Sequence, residues 1–371
     1  MDEYNRSSNV NLSLDCVLSA FPSLDGCPHP PEMPMALQTL RRLSTAVVVA
    51  AALLAPTVAS AGSNPFSDVV FFGDSLSDTG NTQALYAGFG ASVPDPNQPY
   101  AGGPGWTEYL AIGLGQTGDA QSYLLGGNNY AYGGARTGAG ANPIPDVLYQ
   151  TQTLWGSTHA VADPNALYVL VAGGNDMRDA RSTAPGNSNL EKSFRQLSAD
   201  AAIANLKGSL GVLAQRGAQH VLISSLPDLG ATPEAFALGV TAASTDATNR
   251  FNALLPSLMG YGTSLGLDMT LHDMAGVAAA IRYDTLANGG VVYGFTNALY
   301  PCAGFTGSDG SACSTSLFSD ALHPSSAAHQ QIAGAAFNAL GVTPVPEPET
   351  LALMLAGLLV VVNAARRRLT P

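Results

Sequence analysis

Beyond residue 61 the chain alternates short apolar runs with longer segments whose apolar residues recur at helical spacing. The apolar runs are DVVFFG (68–73), NYAYGG (129–134), ALYVLVAGG (166–174), HVLISS (220–225) and DMTLHD (268–273). That alternation predicts an α/β domain built on a parallel sheet of five strands. Between the third and fourth runs, 193–218 shows helical spacing at Phe194, Leu197, Ala201, Ala204 and Leu210 and stops at Arg216-Gly217. A second helix is expected across 248–266, broken near Pro256. A third is expected to begin with Pro324 in its first turn and to run to Gly341. The stretch from Ala84 to Gly127 is rich in Gly and Pro and only weakly periodic, and reads as a long excursion beside the site. No internal repeat is evident.

The two ends follow another logic. From Met35, Arg41 and Arg42 precede the apolar run Val47–Ala55 and the small-residue exit Ala59-Ser60-Ala61, the order of a secretory signal peptide over 35–61. Residues 1–34 then read as an over-extended gene start. At the far end, Pro346-Glu347-Pro348 precedes an apolar run from Leu351 to Val362 and the cluster Arg366, Arg367 and Arg368. As a helix that run reaches only about 18 Å, against a hydrocarbon core of roughly 30 Å. The three arginines would hold the end of the chain on the cytoplasmic side. The order resembles the PEP-CTERM sorting signal of Gram-negative bacteria. The resemblance implies a tail over 345–371 removed by an exosortase-type membrane protease, after signal peptidase has acted and with transient inner-membrane association. The expected localisation is the cell envelope or the exterior.

Charge and cysteines agree with export. The chain carries 15 Lys+Arg against 27 Asp+Glu, a formal net charge of −12, which repels nucleic-acid phosphates. Cys16 and Cys27 fall in the upstream stretch. Cys302 and Cys313 flank a Gly/Ser-rich loop, and in an oxidising compartment two cysteines closing a short loop are expected to form a disulfide. A two-thiol metal site would need ligand spacing that is missing here, so no metal or cofactor is expected.

In open parallel sheets the chemistry lies beyond the carboxyl ends of the strands, which directs attention to Asp74-Ser75, Gly133-Gly134, Asn175-Asp176 and the segment near 320. Taken alone, Ser75 reads equally as a helix cap, and Asn175 as an Asx-turn. In SDALHP, Asp320 and His323 are three apart. On a helical turn the carboxylate can accept from one ring nitrogen and leave the other to take a proton.

GDSLSDTGN (73–81), Gly133-Gly134, GGND (173–176) and Asp320-x-x-His323-Pro324, in this order across residues 68–341, resemble the SGNH, or GDSL, hydrolase family. The resemblance implies a three-layer α/β/α, flavodoxin-like domain over 62–344 and a serine esterase or lipase acting on carboxylic esters. It implies Ser75 as nucleophile, His323 as general base and Asp320 as its orienting carboxylate. The oxyanion hole would be the Ser75 N–H, the Gly134 N–H (with Gly133 the neighbouring alternative) and the Asn175 amide. Asp78 and Asn81 of the first block are read as structural. Phospholipase and carbohydrate deacetylase action use the same machinery, and a non-catalytic exported binding protein would suit the same scaffold.

Several decoys are set aside. GTSLG (262–266) matches a nucleophile elbow around Ser264, but a helix precedes it where the elbow requires a strand. GARTGAG (134–140) lacks the Lys-Ser/Thr of a phosphate loop. His159, His220, His272 and His329 have no ligand spacing and read as surface or core histidines.

Overall fold

The apolar runs become the sheet. In this computed structural model, which describes residues 64–90, 100–140, 143–302 and 311–345 with Gly357 and Val361 beyond them, β1 (Val69–Gly73), β2 (Leu167–Val171), β3 (His220–Ser224) and β4 (Asp268–His272) lie side by side, all parallel. The expected upstream stretch, signal peptide, Cys16, Cys27 and nearly all of the sorting tail lie outside the described residues. Among the described residues no helix is long and apolar enough to cross a membrane. The helices are α1 (Asn81–Gly88), α2 (Trp106–Gly113), α3 (Gly174–Thr183), α4 (Asn189–Arg216), α5 (Pro233–Ala237), α6 (Thr241–Ser264), α7 (Met274–Ala287) and α8 (Ser326–Leu340), with shorter turns between them.

Both faces of the sheet are covered, which is why β1 and β2 read as continuous apolar runs. Val70, Phe72, Tyr168, Leu170, Val221 and Ile223 meet α4 and α6 on one face. Val69, Phe71, Leu167, Val169 and Leu222 meet α2 and α8 on the other. The result is the expected three-layer α/β/α arrangement.

The fifth strand differs from expectation. Residues 128–132 run parallel to β1 and bond it through Phe71 N–H to Asn128 O (3.0 Å), Tyr130 N–H to Phe71 O (2.8 Å) and Tyr132 N–H to Gly73 O (3.1 Å). The pairing is an isolated bridge rather than a strand. Its physical cause is Gln150: Gly73 N–H, the donor that would continue the ladder, goes to Gln150 Oε1 at 2.9 Å, and the amide nitrogen of Gln150 binds Gly73 O. Counting that edge, the spatial order places the second segment beside the first, as in flavodoxin-like sheets.

The helices also correct the sequence reading in detail. α4 starts with a capping box between Ser188 and Glu191 and ends at Gly217 in a left-handed conformation, φ 95°. Its buried stripe is Ala199, Ala202, Ile203, Leu206, Leu210 and Leu213, while Phe194 and Leu197 are exposed. The register is turned because Arg195 is buried, bonded to Asp246 and to the carbonyls of Ala184 and Gly186. α6 is not broken at Pro256; Phe251, Leu255 and Leu258 anchor both sides of the proline in the core. α8 is capped by Ser325, so Pro324 precedes the helix instead of opening it. Within the expected excursion, α2 is a genuine helix with Trp106, Leu110 and Ala111 fully buried. A two-stranded parallel ribbon, β5 (Asn297–Pro301) with β6 (Ser316–Phe318), went unread because short strands with mixed exposure carry little period. Cys302 and Cys313 form the expected disulfide across it, Cα atoms 5.0 Å apart.

Two neutral histidines knit α8 to its neighbours. Trp106 N–H, at the start of α2, donates to His329 Nδ1 at 3.0 Å, and His272 Nε2 donates to Ile332 O at 3.0 Å. Burial lowers the two pKa values to about 3 and about 4 respectively. Unfolded histidine takes its proton near 6.5, so the unfolded state binds more protons across the window below that value. Stability therefore falls as pH drops below about 6.5. His329→Asn keeps an acceptor for Trp106 but does not titrate. Urea unfolding at pH 7 and pH 5 should show the wild type losing about 2 kcal/mol more than this variant over that interval. Equal losses would contradict the buried neutral state.

Candidate active site

At the carboxyl end of β1 the chain leaves the sheet through a tight turn. Asp74 O accepts from the N–H groups of Ser77 and Asp78, both at 3.0 Å, and Asp74 Oδ1 accepts from Leu76 N–H at 3.0 Å. Ser75 thus sits in the turn, and is not the helix cap the sequence also allowed. That work falls to Asp78, whose carboxylate takes the N–H groups of Gly80, Asn81 and Thr82 ahead of and within α1. Asn81 in turn donates to the carbonyls of Asn129 and Ala131, tying α1 to the edge segment.

The loop between β6 and α8 supplies the partners. It is closed on itself by Ser319 N–H to His323 O (2.9 Å) and Ser325 N–H to Leu317 O (2.9 Å). Asp320 Oδ1 accepts the N–H groups of Leu322 and His323, each at 2.7 Å, which leaves Oδ2 for His323 Nδ1 at 2.7 Å. The other ring nitrogen, Nε2, lies 2.8 Å from Ser75 Oγ. Burial alone would raise the Asp320 carboxyl, but the hydrogen bond and charge of His323 outweigh it and hold the group below its ordinary value. Tyr100, which the sequence reading passed over, lies against the imidazole with ring centroids 4.8 Å apart. Its carbonyl accepts from Ser319 Oγ at 2.8 Å. Only an aromatic beside the Gly-Gly-Pro stretch hinted at it.

The second end of interest is that of β2. Gly173 adopts φ 112°, and a Cβ there would stand 2.5 Å from the Phe251 ring, so the close approach of α6 demands glycine. Asn175 follows in the first turn of α3. Its Nδ2 donates to Ala135 O at 2.9 Å and its Oδ1 accepts from Arg178 Nη1 at 3.3 Å, so the amide orientation is fixed with one N–H left over. Arg178 is itself held by a forked bond to Glu234 (3.1 and 2.5 Å).

The two glycines of the edge segment part company. Gly133 N–H is committed to Asp78 Oδ2 (2.8 Å) and Thr82 Oγ1 (2.6 Å). Gly134 has φ 82°, and among the described residues neither its N–H nor that of Ser75 enters a hydrogen bond. Ser75, His323 and Asn175 line one cavity of about 530 Å³. The other walls are largely apolar, with Leu226, Leu229, Leu317 and Phe318 among them. Asp74 is buried beside it, and desolvation raises its pKa to about 6.

The decoys fall elsewhere. Ser264 ends α6 and donates to Tyr261 O at 2.7 Å on an exposed surface. His220 meets Asp268 at an exposed edge, and His159 stacks on Trp155.

The chain is similar in sequence to several known proteins. Esterase EstA of Pseudomonas aeruginosa is 27% identical over 351 residues, covering 82% of this chain and 52% of that protein. The phosphatidylcholine-sterol acyltransferase of Aeromonas hydrophila is 31% identical over 212 residues, 56% of this chain and 58% of that one. The chain spans about half the length of the curated relatives it matches. A solved carbohydrate acetylesterase from Sinorhizobium meliloti shares 14% identity at a TM-score of 0.40, over 74% of this chain and 98% of that chain. Residues 344–368 match the PEP-CTERM protein-sorting motif. The family model of GDSL-like lipase/acylhydrolases matches residues 69–336, the whole sheet together with both loops that meet at Ser75, and the chain belongs to that family.

Proposed function

We propose that this protein is an exported serine hydrolase of carboxylic esters, with Ser75 as nucleophile, His323 as general base and Asp320 as the carboxylate that orients it. The observation that carries the reading is the continuous line from Asp320 Oδ2 through the imidazole to Ser75 Oγ, with bonds of 2.7 and 2.8 Å. A serine hydroxyl is a weak nucleophile until a base takes its proton. Here the base is in hydrogen-bond reach, and its other nitrogen is held by a carboxylate that favours the imidazolium as it forms. Attack on the ester carbonyl gives a tetrahedral oxyanion and then an acyl-serine. The imidazolium returns its proton to the departing alcohol, and water repeats the sequence to free the acid.

The oxyanion is assigned to Ser75 N–H, Gly134 N–H and Asn175 Nδ2. All three retain an uncommitted N–H among the described residues, whereas Gly133 N–H is spent on Asp78 and Thr82. The apolar cavity supports acyl esters as substrates over sugar acetates. Export rests on the sorting motif and on the disulfide, which persists in oxidising compartments. Signal peptidase and an exosortase-type protease would process the two ends.

Ser75→Ala should abolish hydrolysis of 4-nitrophenyl butyrate, by a factor on the order of 10⁵ or more in kcat. Its circular dichroism should be unchanged, because among the described residues the side-chain bond lost is the one to His323. Ser264→Ala should stay within about twofold of wild type. A folded Ser75→Ala protein with near-native turnover overturns the assignment. Asn175→Ala should lower kcat by about 10²–10³ with KM little changed, since the charge it stabilises exists in the transition state. A rise confined to KM would make Asn175 a substrate-binding group instead.

A further inference from the structure

Six of the seven described arginines are engaged by protein groups. Arg136 pairs with Asp179, Arg178 and Arg181 with Glu234, Arg195 and Arg250 with Asp246, and Arg216 donates to His159 O. Arg282 is the exception. It lies on α7 and lines the same cavity as Ser75, and its Nε is buried without a hydrogen-bond partner. Among the described residues no carboxylate pairs with it.

Its position on the helix explains how it reaches the cavity. Ala275, Ala278, Ala279 and Arg282 follow the i, i+3, i+4, i+7 spacing of one helical face, and all four line the cavity. Three small side chains thus give an apolar wall, and a cation follows about 10 Å along the helix from its first member. Beyond it Tyr283 and Leu286 are exposed, so the cation stands toward the cavity's outer end. The other charged wall groups are occupied or distinct in role. Arg178 is held by Glu234, which it shares with Arg181, and by Asn175 Oδ1. Asp228 accepts from Gly230 N–H and Thr245 Oγ1. Asp74 is buried and holds Leu76 N–H.

A partly desolvated guanidinium without a counter-charge is costly, and its planar fork matches a phosphate or carboxylate. We propose that Arg282 is a specificity-determining residue that receives an anionic group on the substrate, a phosphate or a carboxylate, while the apolar remainder of the ester lies along the alanine face. The substrate class is then an amphiphilic ester carrying a negative charge away from the scissile carbonyl. This rests on the ester-hydrolase reading above and adds to it the chemistry of the remote end.

The test compares charged and uncharged esters in wild type and Arg282→Gln. One arm puts the charge on the acyl side, 4-nitrophenyl hydrogen glutarate against 4-nitrophenyl butyrate. The other puts it on the alcohol side, monomeric dihexanoyl phosphatidate against dihexanoylglycerol. In at least one arm the charged-to-neutral ratio of kcat/KM should fall by about tenfold or more in the variant, and Arg282→Lys should restore part of it. The arm that responds identifies whether acid or alcohol carries the anion. An unchanged ratio in both arms, including a parallel loss on all four esters, overturns the proposal. Absence of any Ser75-dependent turnover on the neutral esters would instead overturn the underlying hydrolase reading, and the two failures are thereby distinct.

Discussion

The hydrogen bond between Ser75 Oγ and His323 Nε2 joins groups 248 residues apart in sequence, and much of the fold exists to hold that separation at 2.8 Å. One end is fixed by the sheet. β1 is buried on both faces, and its last residue is clamped by the Gln150 amide, so the turn carrying Ser75 leaves from a rigid point. The other end is a loop, which by itself would be the weaker anchor. It gains its rigidity from closure on itself, from the Cys302–Cys313 disulfide across the ribbon that feeds it, and from Ser325, which caps α8 and binds Ser316 O. A misplacement of about 1 Å between such groups can cost two orders of magnitude in rate.

Charge is arranged in the same way. Asp320 spends one oxygen on two backbone N–H groups of its own loop, which leaves the second with a single partner, His323. Tyr100 lies against the imidazole, and Ser319 Oγ donates to the carbonyls of Tyr100 and His323, so neither competes for the ring nitrogens. Asn175 is oriented by Ala135 and Arg178, and Arg178 by Glu234, so the amide proposed to meet the oxyanion is prepared before substrate arrives. Preorganised donors of this kind supply the larger share of acceleration in many enzymes.

How much of this was legible in the sequence depends on the range of the signal. β1 to β4, the ends of α4 at Gly217 and of α8 at Gly341, and the blocks around Ser75, Asn175, Asp320 and His323 all rest on local pattern, and the structure brings those four residues together. What escaped was set by distant contacts. The face of α4 is decided by buried Arg195 and its partner Asp246, and the edge of the sheet by Gln150. α2 forms around Trp106, whose burial depends on β1 and α8. The continuity of α6 through Pro256 likewise reflects packing that outweighs a local rule. Tyr100 and Arg282 follow no motif, and only the folded chain puts them at the cavity or against the imidazole.

The central claim is that this array activates Ser75 and no other serine. Incubation with a fluorophosphonate, followed by peptide mapping, tests it directly, because the reagent phosphonylates, with loss of fluoride, a serine whose proton a neighbouring base removes. The account predicts a single stoichiometric adduct on the peptide bearing Ser75, lost in His323→Ala. Labelling at Ser264, or an adduct on Ser75 that survives loss of the imidazole unchanged, would contradict it.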